Sequence, residues 1–275
     1  MKSGNHSRHK ASSSRTSPTA PAAGSDSKSE FLYGLHAVRE ALRAGSRPFQ
    51  RLLVQRTDRQ FAEIVEQAKS RHIPVHIEPA AAFDRLVPGG NHQGVIAFVA
   101  AKAYDTTEDI LELARRRNEP PLLVILDGVE DPHNLGAIIR TAEAAGVHGI
   151  FIPERRAAGL TSVVAKTSAG ALEHMLVARV VNVSRLIEEL KEAGLWIYAV
   201  DPEAPSAFTA LDMTGAIALV FGGEGEGIRR GISKECDGLI RIPMRGKIES
   251  LNVSAAVAVT LFEAVRQRTV KAKGA

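Results

Sequence analysis

The sequence predicts an α/β protein in two parts, a small β/α unit followed by a larger parallel sheet covered by helices. Three observations predict this. Short apolar runs at 122–126, 149–152, 175–181, 195–200, 216–221 and 239–243 alternate with amphipathic segments, notably 135–145, 184–193 and 253–268. Such alternation marks buried parallel strands with helices on both faces. A shorter series of the same kind fills 31–101, and the charged stretch 102–120, ending at Pro120-Pro121, separates the two.

Taken in order, residues 34–44 place Leu35, Val38 and Leu42 on one helical face. A short strand at 51–55, a helical pattern at 60–71 and a strand at 74–77 follow. A short helix at 80–86, a turn at Pro88-Gly89-Gly90 and a buried strand at 94–100 close the unit. Residues 102–120 read as a charged linker, helical in part from 109 to 117, that should let the first unit be removed without exposing the second core. The second unit spans 121–268, and 269–275 read as a tail.

Composition narrows the function classes. The 275 residues, 44% hydrophobic, suffice for one large domain or two modest ones with proper cores. No apolar run is long enough to span a membrane and no secretory h-region is present, so a cytoplasmic, non-membrane protein is expected. A lone cysteine, Cys236, excludes an intrachain disulfide and a cysteine-based zinc cluster. The histidines lack ligand spacing on any one element, so no metal is expected. Residues 1–30 carry five bases (Lys2, Arg8, Lys10, Arg15, Lys28) against Asp26 and Glu30. That leaves 30 bases against 29 acids in the rest, so charge permits a nucleic-acid partner without demanding one. This Ser-, Pro- and Ala-rich segment reads as a disordered basic tail.

Three loops following predicted strands carry the chemistry. The first, 127–140, runs DGVEDPHNLGAIIR, with Asn134 placed to cap the following helix and Arg140 about two turns in. The second, 219–227, reads LVFGGEGEG. Its glycines allow a tight turn and close approach of a ligand. It is neither a P-loop nor a dinucleotide fingerprint, and its carboxylates suit a hydroxyl, amine or cation better than a phosphate. The third, 242–254, reads IPMRGKIESLNVS and leads into an Ala/Val-rich helix, with Ser250 or Asn252 as candidate cap. That helix suits close packing against an ordinary core element or against a second subunit. A GxSxG nucleophile elbow is absent.

Together the segments N-x-G-x-x-x-R-T, F-G-x-E-G-x-G and I-P-M…S-L-N-V-S-x-A resemble the SpoU (TrmH-type) ribose methyltransferases of the SPOUT superfamily, over residues 121–268. The opening FLYGLHAVREAL and the Asn91-His-Gln-Gly94 segment are similar to the substrate-binding domain of the RlmB-type members. The resemblance implies a C-terminal trefoil knot, which periodicity alone would not suggest because knots are rare. It also implies S-adenosylmethionine held near Gly222, Ile242 and Leu251, a catalytic set of Asn134, Arg140, Glu224, Ser250 and Asn252, and a homodimer with parts of the site supplied across the interface. The implied reaction is methyl transfer to the ribose 2′-OH of a guanosine in large-subunit ribosomal RNA. The family pattern gives Arg140 the role of base, but a guanidinium does not normally deprotonate in proteins, so clamping a phosphate and orienting the ribose is open to it too. A tRNA methyltransferase and an inactive RNA-binding protein of the same fold are the alternatives. A Rossmann oxidoreductase is disfavoured because DGVEDPHN stands where its glycine fingerprint would be.

Overall fold

A computed structural model describes residues 29–225 and 227–274, together with Met1. The expected basic tail therefore falls almost wholly outside the described residues.

The N-terminal unit is a four-stranded sheet in the order β1-β4-β2-β3. Strand β1 (Ser29–Tyr33) begins two residues before the expected start of order and pairs antiparallel with β4 (Val95–Ala100). Strand β2 (Phe49–Val54) pairs antiparallel with β4 and parallel with β3 (Val75–Ile77). Helices α1 (Leu35–Ala44) and α2 (Ala62–Ser70) bury their apolar stripes together with Leu52, Val54 and Val95. Helix α3 (Ala80–Leu86) buries Phe83 alongside Leu53 and Ile96.

Residues 102–120 do more than connect. They carry helix α4 (Thr107–Arg117), started by a capping box between Thr106 and Asp109. Ile110 and Ala114 on α4 are buried, Ile110 in one cluster with Leu123, Ile125 and Phe151 of the second sheet. The apolar i, i+4 pair is hidden among charges, which is why the segment reads as solvated.

The second unit is a seven-stranded, all-parallel sheet in the order β7-β6-β5-β10-β8-β11-β9. Its strands are β5 (Leu122–Asp127), β6 (Gly149–Pro153), β7 (Val177–Val180), β8 (Trp196–Val200), β9 (Ser206–Ala207), β10 (Ile217–Gly222) and β11 (Gly238–Arg241). Helix α5 (Pro132–Ala144) and the C-terminal α9 (Val253–Gly274) contribute to the core on one face, with α6 (Ser162–Thr167) against α5. On the other face α7 (Val183–Glu192) and α8 (Arg230–Glu235) join α4. Helix α9 runs to Gly274, so the expected tail at 269–275 is helical up to that residue, because Val-Lys-Ala-Lys contains no breaker.

From β5 the chain proceeds outward to β6 on one side, and from β10 to β11 on the other. The carboxyl ends of β5 and β10 thus flank a topological switch point, where open α/β sheets bind ligands. Their register sets Gly222 opposite Asp127.

The two units are joined by more than the chain. One hydrophobic cluster runs from Leu35, Val38 and Leu42 through Leu172 and Val164 to Leu135 and Ile138. Beside it, Arg47 and Glu173, with side chains only 3% and 1% exposed, form an ion pair. Arg47 Nε donates to Glu173 Oε2 at 3.0 Å and Ser46 Oγ to the same oxygen at 2.7 Å. Gln93, at φ 53°, accepts from Leu35 N at 3.2 Å and from Lys166 Nζ at 2.8 Å. Removing the first unit would uncover this surface, contrary to the expectation that it could be removed without exposing the second core. Glu173→Ala leaves a buried guanidinium unpaired and should lower stability by about 3–5 kcal/mol. Chemical denaturation of the full chain checks this, and a loss below about 1 kcal/mol would show that the contact is solvated.

Candidate active site

Three loops meet at the carboxyl ends of β5 and β10. The first starts α5 differently from the sequence expectation. The N-cap is Asp131, whose carboxylate accepts from His133 N at 2.8 Å, with Pro132 opening the helix. Proline is pre-set for that position and aspartate is a strong cap. Asn134 is thereby released from capping and lies buried inside the first turn.

Its amide turns to the glycine-rich loop. Asn134 Nδ2 donates to Glu224 Oε1 at 2.7 Å. Asn252 Nδ2 donates to the same Glu224 oxygen at 2.8 Å and to Asn134 Oδ1 at 3.1 Å. Three residues up to 118 positions apart close a hydrogen-bonded triangle. Asn252 has a second task. Its Oδ1 accepts from Ser254 N at 2.9 Å and Ser254 Oγ at 2.6 Å, so it caps α9, resolving the choice left open between Ser250 and Asn252. Among the described residues Glu224 Oε2 has no hydrogen bond, and the side chain is exposed.

The glycine loop is held at both ends by Asp127, a buried residue that the sequence reading passed over. Its carbonyl accepts from Gly223 N at 2.8 Å. Its carboxylate accepts from Arg229 N at 3.0 Å and Arg229 Nε at 2.8 Å. A Cβ on Gly223 would lie 1.8 Å from Gly128 O, and one on Gly222 would lie 2.1 Å from Gly227 C. Only glycine permits these backbone approaches. An acid ending a wholly buried strand was the available signal for Asp127.

Two cavities adjoin across this loop, and Glu224 lines both. The smaller, about 440 Å³, contains all three residues expected at the cofactor, Gly222, Ile242 and Leu251, together with Ser250 and Asn252. Its wall combines Val200, Phe221 and Met244 with Asp201 and Glu249. The larger, about 820 Å³, is walled by Asp127, Glu130, Asn134, Arg156, Val181 and Arg229, among others. Arg140 lines neither. It lies exposed on α5, roughly 120° around the helix from Asn134. Cys236, with its thiol pushed up to about 11 by burial, is no nucleophile.

Residues 121–262 match the model of the SpoU rRNA Methylase family, and 31–105 that for RNA 2′-O ribose methyltransferase substrate binding. The chain is 43% identical over 240 residues to the putative TrmH family tRNA/rRNA methyltransferase YacO of Bacillus subtilis, spanning 87% of this chain and 96% of that one. It is 42% identical over 245 residues to the 23S rRNA (guanosine-2′-O-)-methyltransferase RlmB of Xylella fastidiosa, covering 88% and 98%. The AdoMet-bound rRNA methyltransferase of Sinorhizobium meliloti superposes with a TM-score of 0.72 at 26% identity, over 87% of each chain.

Gly223→Ala should lower stability by about 3 kcal/mol, the upper end for an overpacked site, because backbone and not a flexible side chain opposes the new methyl. Thermal unfolding checks this. An unchanged midpoint would mean that the loop and Gly128 do not pack as described.

Proposed function

The chain belongs to the SpoU rRNA methylase family, and we propose that it transfers a methyl group from S-adenosylmethionine to the ribose 2′-OH of a guanosine in 23S ribosomal RNA. The observation that carries this reading is Glu224, held by two amides at the junction of two cavities, one suited to a cofactor and one open to a nucleotide.

The smaller cavity fits S-adenosylmethionine. Its volume lies within the usual range of about 300–1,000 Å³ for small-ligand sites. Its apolar wall suits an adenine, and Asp201, Glu224 and Glu249 complement a ligand carrying positive charge. When bound, the cofactor supplies an activated methyl group and its own leaving group.

The protein supplies alignment. In-line transfer requires the ribose oxygen to face the methyl donor at near-contact distance. Asn134 and Asn252 occupy Glu224 Oε1, which leaves Oε2 to accept from the ribose hydroxyl and orient it. Ser250 adds a neutral hydrogen-bonding group to the cofactor side. Help in moving the hydroxyl proton is worth roughly 10²–10⁴-fold.

Arg140 completes the site from a second subunit. Its guanidinium stands outside both cavities, on a helix that packs against α9, whose Val259 and Phe262 are 41% and 50% exposed. A homodimer formed on this surface would cover the apolar residues and bring Arg140 to the partner's ribose. In the same reading residues 31–101 are the RNA-binding module, the C-terminal domain carries the family's knot, and the protein works in the cytoplasm.

Two outcomes are expected. Light scattering should give about twice the 29.5 kDa chain mass, and a fully active monomer would contradict the dimer. Arg140→Ala and Glu224→Ala should each abolish methyl transfer while cofactor affinity stays within a few-fold for Arg140→Ala. Co-expressed, the two variants should recover part of the activity, because a mixed dimer rebuilds one intact site. No recovery would place Arg140 in its own subunit's site or outside catalysis.

A further inference from the structure

The sheet of the N-terminal unit is packed unequally on its two faces. Leu52, Val54 and Val95 join α1 and α2 in one core. By strand alternation Arg51, Leu53, His76 and Phe98 share the opposite face. The cover there is α3, only seven residues long, which buries Phe83 and leaves a groove of about 350 Å³ beside it. Leu53, Leu86 and Phe98 give the groove an apolar lining, and Arg51, Glu78 and Arg85 stand around it. Its volume falls in the usual range of about 300–1,000 Å³ for small-ligand sites.

Arg51 is set there by the backbone. Phe49 pairs with Val99, so an uninterrupted ladder would put Gln50 opposite Phe98, but the register shifts and Arg51 takes that place. Such irregularities re-aim side chains. The Arg51 guanidinium carbon lies 4.1 Å from the centroid of the Phe98 ring. The residue is exposed, and among the described residues it has neither a hydrogen bond nor a carboxylate within 4 Å. Glu78 shares the groove and likewise has no ion pair among the described residues. A guanidinium stacked on one ring keeps its second face and its N–H edge for another flat group. A phosphate would gain nothing from the apolar lining and would be opposed by Glu78. A planar ligand bearing N–H donors satisfies every wall, and an unpaired RNA base is such a ligand, since bases freed from the helix stack on aromatic rings and arginine planes. Guanine fits best, because its N1–H and N2–H lie side by side and one carboxylate accepts both.

We propose that the groove between α3 and the sheet holds one unpaired guanine of the substrate RNA, stacked on Arg51 with its N–H edge at Glu78. This rests on the reading of residues 31–101 as the RNA-binding module. The guanine is a nucleotide other than the methylated one, because Glu224 and the two cavities beside it belong to the second unit. The two units are packed together, so the groove selects RNA that presents a second unpaired guanine at a set separation from the target.

Chemical probing of guanine N1–H and N2–H edges in a 23S ribosomal RNA fragment, with and without the full chain, tests it. The unaltered protein should protect one unpaired guanine besides the methylated one, and Arg51→Ala or Glu78→Gln should leave that guanine reactive. The KM for the fragment should rise about tenfold in Arg51→Ala, as for loss of one stacked base, with S-adenosylmethionine affinity within about twofold. The melting temperature should stay unchanged, since Arg51 is exposed. Arg51→Lys should restore neither KM nor protection, because it keeps the charge and loses the plane. Rescue by lysine, or a salt dependence of RNA affinity whose logarithmic slope falls by about one in Arg51→Ala, would place Arg51 on a phosphate and overturn the proposal. Protection that survives in Arg51→Ala would overturn it as well. A change of oligomeric mass in that variant, with protection intact, would make the groove an interface between copies instead. Normal methylation with no second protected guanine sinks the groove alone, whereas an unaltered protein that neither methylates nor protects the RNA sinks the substrate reading beneath it.

Discussion

The site depends on one shared acceptor, Glu224 Oε1, which receives an amide hydrogen from Asn134 and another from Asn252. Each donor belongs to a different loop, and each loop begins from a different part of the sheet or ends in a different helix. A carboxylate that accepts two hydrogen bonds from neutral amides is fixed in position without being neutralised by a cation. Its other oxygen is thereby aimed without a competing partner. The same contact joins the start of α5 to the start of α9, so the packing of those helices and the geometry of the site are one constraint.

Behind that contact lies a second one made by Asp127. Its backbone and side chain together hold Gly223 and Arg229, the two ends of the loop that bears Glu224. The loop can be rich in glycine, and so conformationally free, because its ends are pinned by a buried group on a central strand. The N-terminal unit is tied to the same body. Its contacts at Glu173, Lys166 and Leu172 reach the segments packed on α5. An RNA segment bound there would be presented to the cavities at a fixed distance, which suits a structured target better than a freely diffusing strand.

Much of this was legible in the sequence because strands and helices announce themselves by period. Every apolar run named in the second unit became a strand, and the residues named around the cofactor, Gly222, Ile242 and Leu251, share one cavity. What could not be read had local disguises. Asn134 resembles a cap, and only the competing pair Asp131-Pro132 shows that it is not one. Helix α4 hides Ile110 and Ala114 among charged residues that look solvated. Asp127 and Arg229 matter through a contact spanning 102 positions, which no window of sequence displays. The left-handed backbone of Arg156 has no sequence signature at all, since arginine is not a residue that favours it.

The proposed role of Glu224, between a cavity that would take the cofactor and one that would take the nucleotide, is the centre of the account, and it is tested most directly by mapping 2′-O-methyl groups across ribosomal RNA. The RNA would be taken from cells lacking the gene and from the same cells supplied with either the unaltered chain or Glu224→Gln. The account predicts one guanosine of the large-subunit RNA that is unmethylated without the gene, methylated again with the unaltered chain, and left bare with Glu224→Gln. An identical pattern of methyl groups in all three would contradict it.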